Sequence, residues 1–218
     1  MSLNVEQARF NMVEQQVRPW DVLDARVLEV LGQVKREEFV ASAHRDIAFA
    51  DLELPLAHGE VMMKPVIEGR VLQALLPVRT ETVLEIGTGS GFLTACLARL
   101  SQAVVSVEQH ADLAATARER LAKAGIANVE VEVAEAVKGF EPKREFDVIV
   151  VTGSVFALPE RFKRWLKPGG RMFAVIGESP VQHAVTLTRT GENYKEDSLF
   201  ETDLPYLTNA APPKRFTL

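Results

Sequence analysis

The stretch Val83-Leu84-Glu85-Ile86-Gly87-Thr88-Gly89-Ser90-Gly91-Phe92 decides how this chain is read. An apolar run interrupted by one carboxylate meets three glycines at alternate positions, and the small, apolar, helix-like segment Phe92–Leu100 follows. Strand, glycine turn and helix in that order build a cradle for a nucleotide-like ligand. Glycine lets the backbone approach closely, and the start of the helix presents unpaired N–H groups. A dinucleotide fingerprint requires G-x-G-x-x-G. Here Phe92 occupies the place of the third glycine, which weakens a nicotinamide reading. A phosphate loop ending in Gly-Lys-Ser/Thr is also missing.

Downstream of the loop, short β-rich runs alternate with helical stretches. The runs are 82–86, 103–108, 129–133, 146–151 and 171–177. Apolar strands alternating with helices predict a parallel sheet covered on both faces. The runs beginning at His183 and Lys195, with a Gly191-Glu192-Asn193 turn, read as an antiparallel hairpin at the sheet edge. Residues 1–80 read as helical. Leu23, Val27, Val30, Leu31 and Val34 fall on one helical face after a possible Asp21 cap, and Pro65 suits the first turn of a second helix. The expected fold is therefore α/β: a Rossmann-like, doubly wound, mostly parallel seven-stranded sheet with an antiparallel C-terminal hairpin and an N-terminal helical extension. The expected organisation is one domain over 1–218, with 1–80 as the extension and 81–218 as the cofactor-binding core.

A chain of 218 residues is long enough for one sizeable core. Its net charge of −5 leaves no electrostatic footprint for nucleic acid, and no apolar run reaches the length of a membrane span. The N-terminus lacks the basic-then-apolar order of a signal peptide, and the opening Met-Ser-Leu reads equally as an expression scar. The one cysteine, Cys96, excludes an internal disulfide and reads as a buried structural residue. The expected compartment is the cytoplasm. Four scattered histidines show no metal spacing, so no metal is expected.

Two carboxylates narrow the ligand. Glu108 closes the strand after the loop helix, where an acid accepts hydrogen bonds from ribose hydroxyls in nicotinamide and adenosylmethionine sites alike, so that the choice falls to Glu85. Glu85 lies inside an apolar strand, and burying it alone is costly. Backbone amides or a cationic ligand would offset that cost. S-adenosyl-L-methionine fits, because it carries an amino group and a sulfonium and no phosphate.

With these features in view, the chain resembles the class I S-adenosylmethionine-dependent methyltransferases, and more narrowly the protein-L-isoaspartate O-methyltransferase family. The resemblance rests on residues 10–40 (including Arg36-Glu37-Glu38-Phe39-Val40), 48–65, the glycine loop, the strand ending at Glu108, 146–153 and 166–177. It implies an enzyme of protein repair that transfers a methyl group to an isoaspartyl carboxylate in a damaged peptide or protein, with S-adenosyl-L-homocysteine as product. Cofactor contacts are implied at Glu85, Gly87, Thr88, Gly89, Ser90, Gly91, Glu108, Gln109, Glu135, Ala136 and Thr152. The family's Gly-Asp-Gly after the third strand is here Ala134-Glu135-Ala136.

The main departure from the family pattern lies on the acceptor side. The family's Gly-Gln-Thr-Ile-Ser-x-Pro aligns with Gly59-Glu60-Val61-Met62-Met63-Lys64-Pro65, so both hydroxyls are lost, at Val61 and Met63. Met63 and Lys64 are the acceptor-side positions, Lys64 as a candidate partner for a carboxylate. A methyltransferase with a different acceptor, or a cofactor-binding homologue without isoaspartyl activity, remains the alternative reading. The oligomeric state is not legible.

Overall fold

A computed structural model describes residues 4–213. Helix α1 (Val5–Asn11) runs into a wide π turn over Met12–Val17, and α2 (Ala25–Gln33) and α3 (Pro65–Leu75) complete the extension. Between α2 and α3 the chain forms a two-stranded hairpin, β1 (Leu54–Pro55) with β2 (Val61–Met62), which the helical reading of 1–80 does not anticipate. The remaining elements are β3 (Thr82–Ile86), α4 (Phe92–Leu100), β4 (Ala103–Glu108), α5 (Ala111–Lys123), β5 (Val129–Val133), β6 (Phe146–Val155), α6 (Glu160–Arg164), β7 (Leu166–Glu178), β8 (Val181–Thr190) and β9 (Asn193–Thr202).

Strands β3 to β9 form one seven-stranded sheet in the order β5-β4-β3-β6-β7-β8-β9. Pairs among β3 to β7 are parallel, and β7-β8-β9 is antiparallel. The central strands are buried on both faces, and alternate residues serve different cores. Val83, Val148 and Phe173 face a cluster that takes in Leu31 of α2, Leu72 of α3 and Leu97 of α4. Leu84, Ile149 and Ala174 face the other side, against Phe162 and Trp165. The extension is thus joined to the sheet by shared apolar packing.

Local capping corrects one expectation. Asp24, not Asp21, caps α2: its Oδ1 accepts from the Arg26 amide at 2.9 Å and the Val27 amide at 3.4 Å. Asp21 instead sits in a left-handed conformation that ends the turn Arg18–Trp20. Leu23 therefore precedes the helix and is exposed, while Val27, Val30, Leu31 and Val34 are buried. The opening Met-Ser-Leu and the last five residues of the tail, 214–218, lie outside the described residues.

Candidate active site

The chain leaves β3 for β4 and β5 on one side, then returns to β6 and β7 on the other. The C-terminal ends of β3 and β6 therefore flank a topological switch point, where open α/β sheets hold their ligands. A cavity opens there. It is lined by the glycine loop, the ends of β4, β5 and β6, the hairpin β1–β2, and residues 204–208 of the tail.

The loop's backbone demands glycine. Gly87 has φ +97°, and a Cβ placed on it would lie 2.2 Å from Thr152 Oγ1. That hydroxyl donates to the carbonyls of Ile86 and Gly87, both at 2.8 Å. Thr152, in the second half of β6, thus fastens the turn at the end of β3. Gly89, Ser90 and Thr88 line the cavity, whereas Gly91, at φ +85°, packs under the loop against Ala117 of α5.

Glu85 is fully buried in β3 and lines the cavity. Its Oε2 accepts from Thr94 Oγ1 at 2.5 Å and Ser106 Oγ at 2.6 Å, and Thr88 Oγ1 bonds Ser106 Oγ at 2.6 Å. Its Oε1 has no protein partner. Burial pushes the carboxyl up to about 8, opposed by the two hydroxyl hydrogen bonds and reinforced by nearby Glu108 and Glu68. A buried acceptor without a donor is a standing cost, and a cationic group at Oε1 would relieve it.

Glu108 is 5% exposed at the end of β4. Its Oε2 accepts from the Gly89 amide at 2.9 Å and its Oε1 from the His110 amide at 3.0 Å. These bonds fix the carboxylate's direction and leave lone pairs on both oxygens for a diol. Gln109 turns its amide to Glu60 Oε1 of the hairpin at 3.2 Å. Glu135 is occupied locally: its two oxygens accept from the amides of Val137 at 2.7 Å and Lys138 at 3.0 Å, so it caps its own turn. Ala136 lines the cavity beside it.

On the acceptor side Met63 is 6% exposed and lines the cavity, together with Met62. Lys64 is corrected. It is the residue before α3, exposed and outside the lining, because the chain turns there to start the helix. Two parts of the site have no local signal. One is the tail, where Leu204 and Tyr206 reach the cavity because Ser154 bonds the Leu204 carbonyl at 2.7 Å and its amide bonds the Pro205 carbonyl at 2.8 Å. The other is Glu68 of α3, buried against Arg36, with burial pushing its carboxyl up to about 7.

His58 is exposed in the hairpin turn, where its Nε2 lies 2.9 Å from both carboxylate oxygens of Asp112 and its ring stacks on His110 at 4.0 Å. The hairpin is thereby tied to the first turn of α5.

The charge of the cavity is one-sided. Glu60, Glu68, Glu85, Glu108 and Glu135 line it, and among its described lining residues there is no lysine or arginine. A pyrophosphate would meet carboxylates and no counter-charge. A ligand with ammonium and sulfonium groups meets complementary charge, an unpartnered acceptor and a glycine cradle. The residues present therefore fit S-adenosylmethionine. Among the described residues no three His, Cys, Asp or Glu side chains gather into a metal-binding group, and no helix is long and apolar enough to cross a membrane.

A sequence model of the protein-L-isoaspartate(D-aspartate) O-methyltransferase family matches residues 8–205. A protein-L-isoaspartate O-methyltransferase of Magnetococcus marinus is 42% identical over 81% of this chain and 78% of its own length. The enzyme of that name from Methanoculleus marisnigri is 38% identical over 83% of this chain and 82% of its own. Among solved structures, a Plasmodium falciparum protein described as a protein-L-isoaspartate O-methyltransferase in complex with S-adenosyl-L-homocysteine superposes with a TM-score of 0.81, at 21% identity. It covers 94% of this chain and 99% of that one.

Proposed function

Because the chain belongs to the protein-L-isoaspartate(D-aspartate) O-methyltransferase family, we propose that it is an S-adenosylmethionine-dependent O-methyltransferase that esterifies isoaspartyl carboxylates of damaged proteins. The observation that carries this reading is the match along most of the chain to relatives that bear that name, at 42% identity for one of them. Its physical support is the pairing of an unpartnered, buried Glu85 with the glycine loop and a doubly anchored Glu108.

When bound, the cofactor supplies an electrophilic methyl group on a sulfonium. The chain's own work is to hold and exclude. Glu85 Oε1 would hold the amino group and Glu108 the ribose hydroxyls, with Gln109 and Ala136 beside the base. Thr152 keeps the loop in shape between them. The acceptor carboxylate is ionised near neutral pH, with a reference value close to 4, so no general base is needed. Alignment of oxygen, methyl and sulfur supplies most of the acceleration, up to roughly 7–11 kcal/mol in well-oriented systems. Leu204, Tyr206, Met62 and Met63 wall off water.

A second reading, transfer to a different acceptor, is favoured by one feature. The wall formed by Val61, Met62 and Met63 has no hydroxyl to donate to a carboxylate. One assay decides between them: the protein, methyl-labelled cofactor, and matched isoaspartyl and aspartyl peptides. Label transferred to the isoaspartyl peptide alone is expected. Calorimetric binding of S-adenosylhomocysteine with no labelled ester above background would transfer support to the second reading.

A further inference from the structure

Arg36 is fully buried within the extension. Its Nε donates to the Ala48 carbonyl at 2.8 Å, and its Nη2 to the Met63 carbonyl at 2.7 Å. Nη1 pairs with Glu68 Oε2, and the guanidinium carbon stands 4.8 Å from the ring centre of Phe92, the first residue of α4. One side chain thus ties four segments together: the turn before β1, the exit of β2, α3 and the helix that follows the glycine loop.

Arg36 does not line the cavity, but two of the groups it holds do, Met63 and Glu68. The segment between β2 and α3 is gripped from both ends. Arg36 holds the Met63 carbonyl, and Asp51 Oδ1 accepts from the Val66 amide at 3.2 Å. A guanidinium is a rigid planar fork, so it sets direction as well as distance for the groups it binds. Fold stability alone is a weak reason for such an arrangement, because a buried ion pair can often be replaced by well-packed neutral groups at little cost.

We propose that Arg36, with Glu68 as its counter-charge, is a positioning residue: it orients the Met63 peptide and thereby the acceptor wall over the glycine-loop helix. The inference rests on the methyltransferase reading for its kinetic consequence, and on geometry alone for its structural one. Removing the fork frees the Met63 carbonyl. The wall then loses its fixed distance from the cofactor subsite, while the glycine loop, Glu85 and Glu108 keep their own hydrogen bonds.

The test compares the wild type with R36K and with R36M/E68Q, the latter leaving no orphaned charge. Three kinds of measurement are made: amide hydrogen exchange over 61–66, calorimetry for the Kd of S-adenosylhomocysteine, and steady-state kinetics for the KM and kcat of an isoaspartyl peptide. In R36M/E68Q, exchange over 61–66 should quicken by about tenfold or more, and the acceptor KM should rise by about the same factor, the size expected for one charged hydrogen bond. Exchange in β3 and β6 should stay within about threefold, and the Kd of S-adenosylhomocysteine should move by less than the KM does. R36K, which keeps a charge but not the fork, should fall between the two. Unchanged exchange over 61–66 overturns the proposal. So does exchange that quickens equally across the sheet, or a Kd that worsens in step with KM, since each marks a general structural role. If the wild type itself transfers no methyl to the peptide, the functional reading fails, and the exchange data still decide the role of Arg36.

Discussion

Replacing Glu85 by glutamine should strengthen the free protein at alkaline pH and ruin its ligand binding. Glutamine keeps the shape of the side chain and removes its titration. Burial holds the Glu85 carboxyl up to about 8, against an ordinary value of 4.5. A carboxyl raised in the folded state contributes stability that is fully present below its unfolded value and is lost as pH rises through the folded one. The window here runs from 4.5 to about 8. Between pH 6 and pH 8 the linkage for one such group amounts to about 2 kcal/mol. Glu68, raised to about 7 in the same way, adds about 1 kcal/mol, and this part persists in the variant. Urea unfolding of the ligand-free protein at the two pH values reads the difference. The wild type should lose about 2 kcal/mol more than Glu85→Gln across the interval. Calorimetry with S-adenosylhomocysteine at pH 7 should show proton release on binding to the wild type, because an ammonium at Oε1 draws the carboxyl down, and none from this position in the variant. The variant's affinity should fall at least tenfold, the size of one charged hydrogen bond. Equal pH slopes for the two proteins, or retained affinity in the variant, would refute the assignment of Glu85 as a protonated acid waiting for a cation.

Three further outcomes follow from the same geometry. Gly87→Ala places a methyl 2.2 Å from Thr152 Oγ1 at φ +97°, so unfolding free energy should drop by about 2 kcal/mol or more and S-adenosylhomocysteine binding should be lost. Met63→Ser returns a hydroxyl to the acceptor wall, so the isoaspartyl KM should fall several-fold even as thermal stability declines through the cavity left behind; an unchanged KM would count against Met63 facing the acceptor. His58→Ala cuts the tie to Asp112, whose carboxyl is held below the usual range chiefly by its hydrogen bond to His58. Stopped-flow release of S-adenosylhomocysteine should quicken while the melting temperature is unmoved.

Much of the fold was legible because it depends on periodicity. The five strands read from apolar runs form where they were placed, three of them (82–86, 103–108 and 129–133) with matching bounds. Pro65 opens α3 because its missing N–H costs nothing in a first turn. Less was legible where short segments compete. Asp21 and Asp24 are both plausible caps by type, and the choice fell to Gln73, whose side-chain oxygen accepts from the amides of Leu23 and Asp24 and holds them outside the helix. The hairpin β1–β2 has strands of two residues, too short to show any alternation.

For the site, the cofactor class is legible in local spacing. The glycine spacing, Glu85 and Glu108 lie within 24 residues, and their relation is set by one strand–turn–helix–strand unit whose local geometry repeats wherever the pattern occurs. What closes the site depends on contacts between distant segments. Lys64 looked like a partner for a carboxylate, but helix initiation turns it to solvent. Glu68, Arg36 and the tail residues Leu204 and Tyr206 gave no local sign of a role. They are brought together across 32 positions in one case and 50 in another by a buried ion pair and a serine hydrogen bond. Contacts of that kind are set by how the sheet and the extension pack, and packing leaves no spacing in the chain to be read.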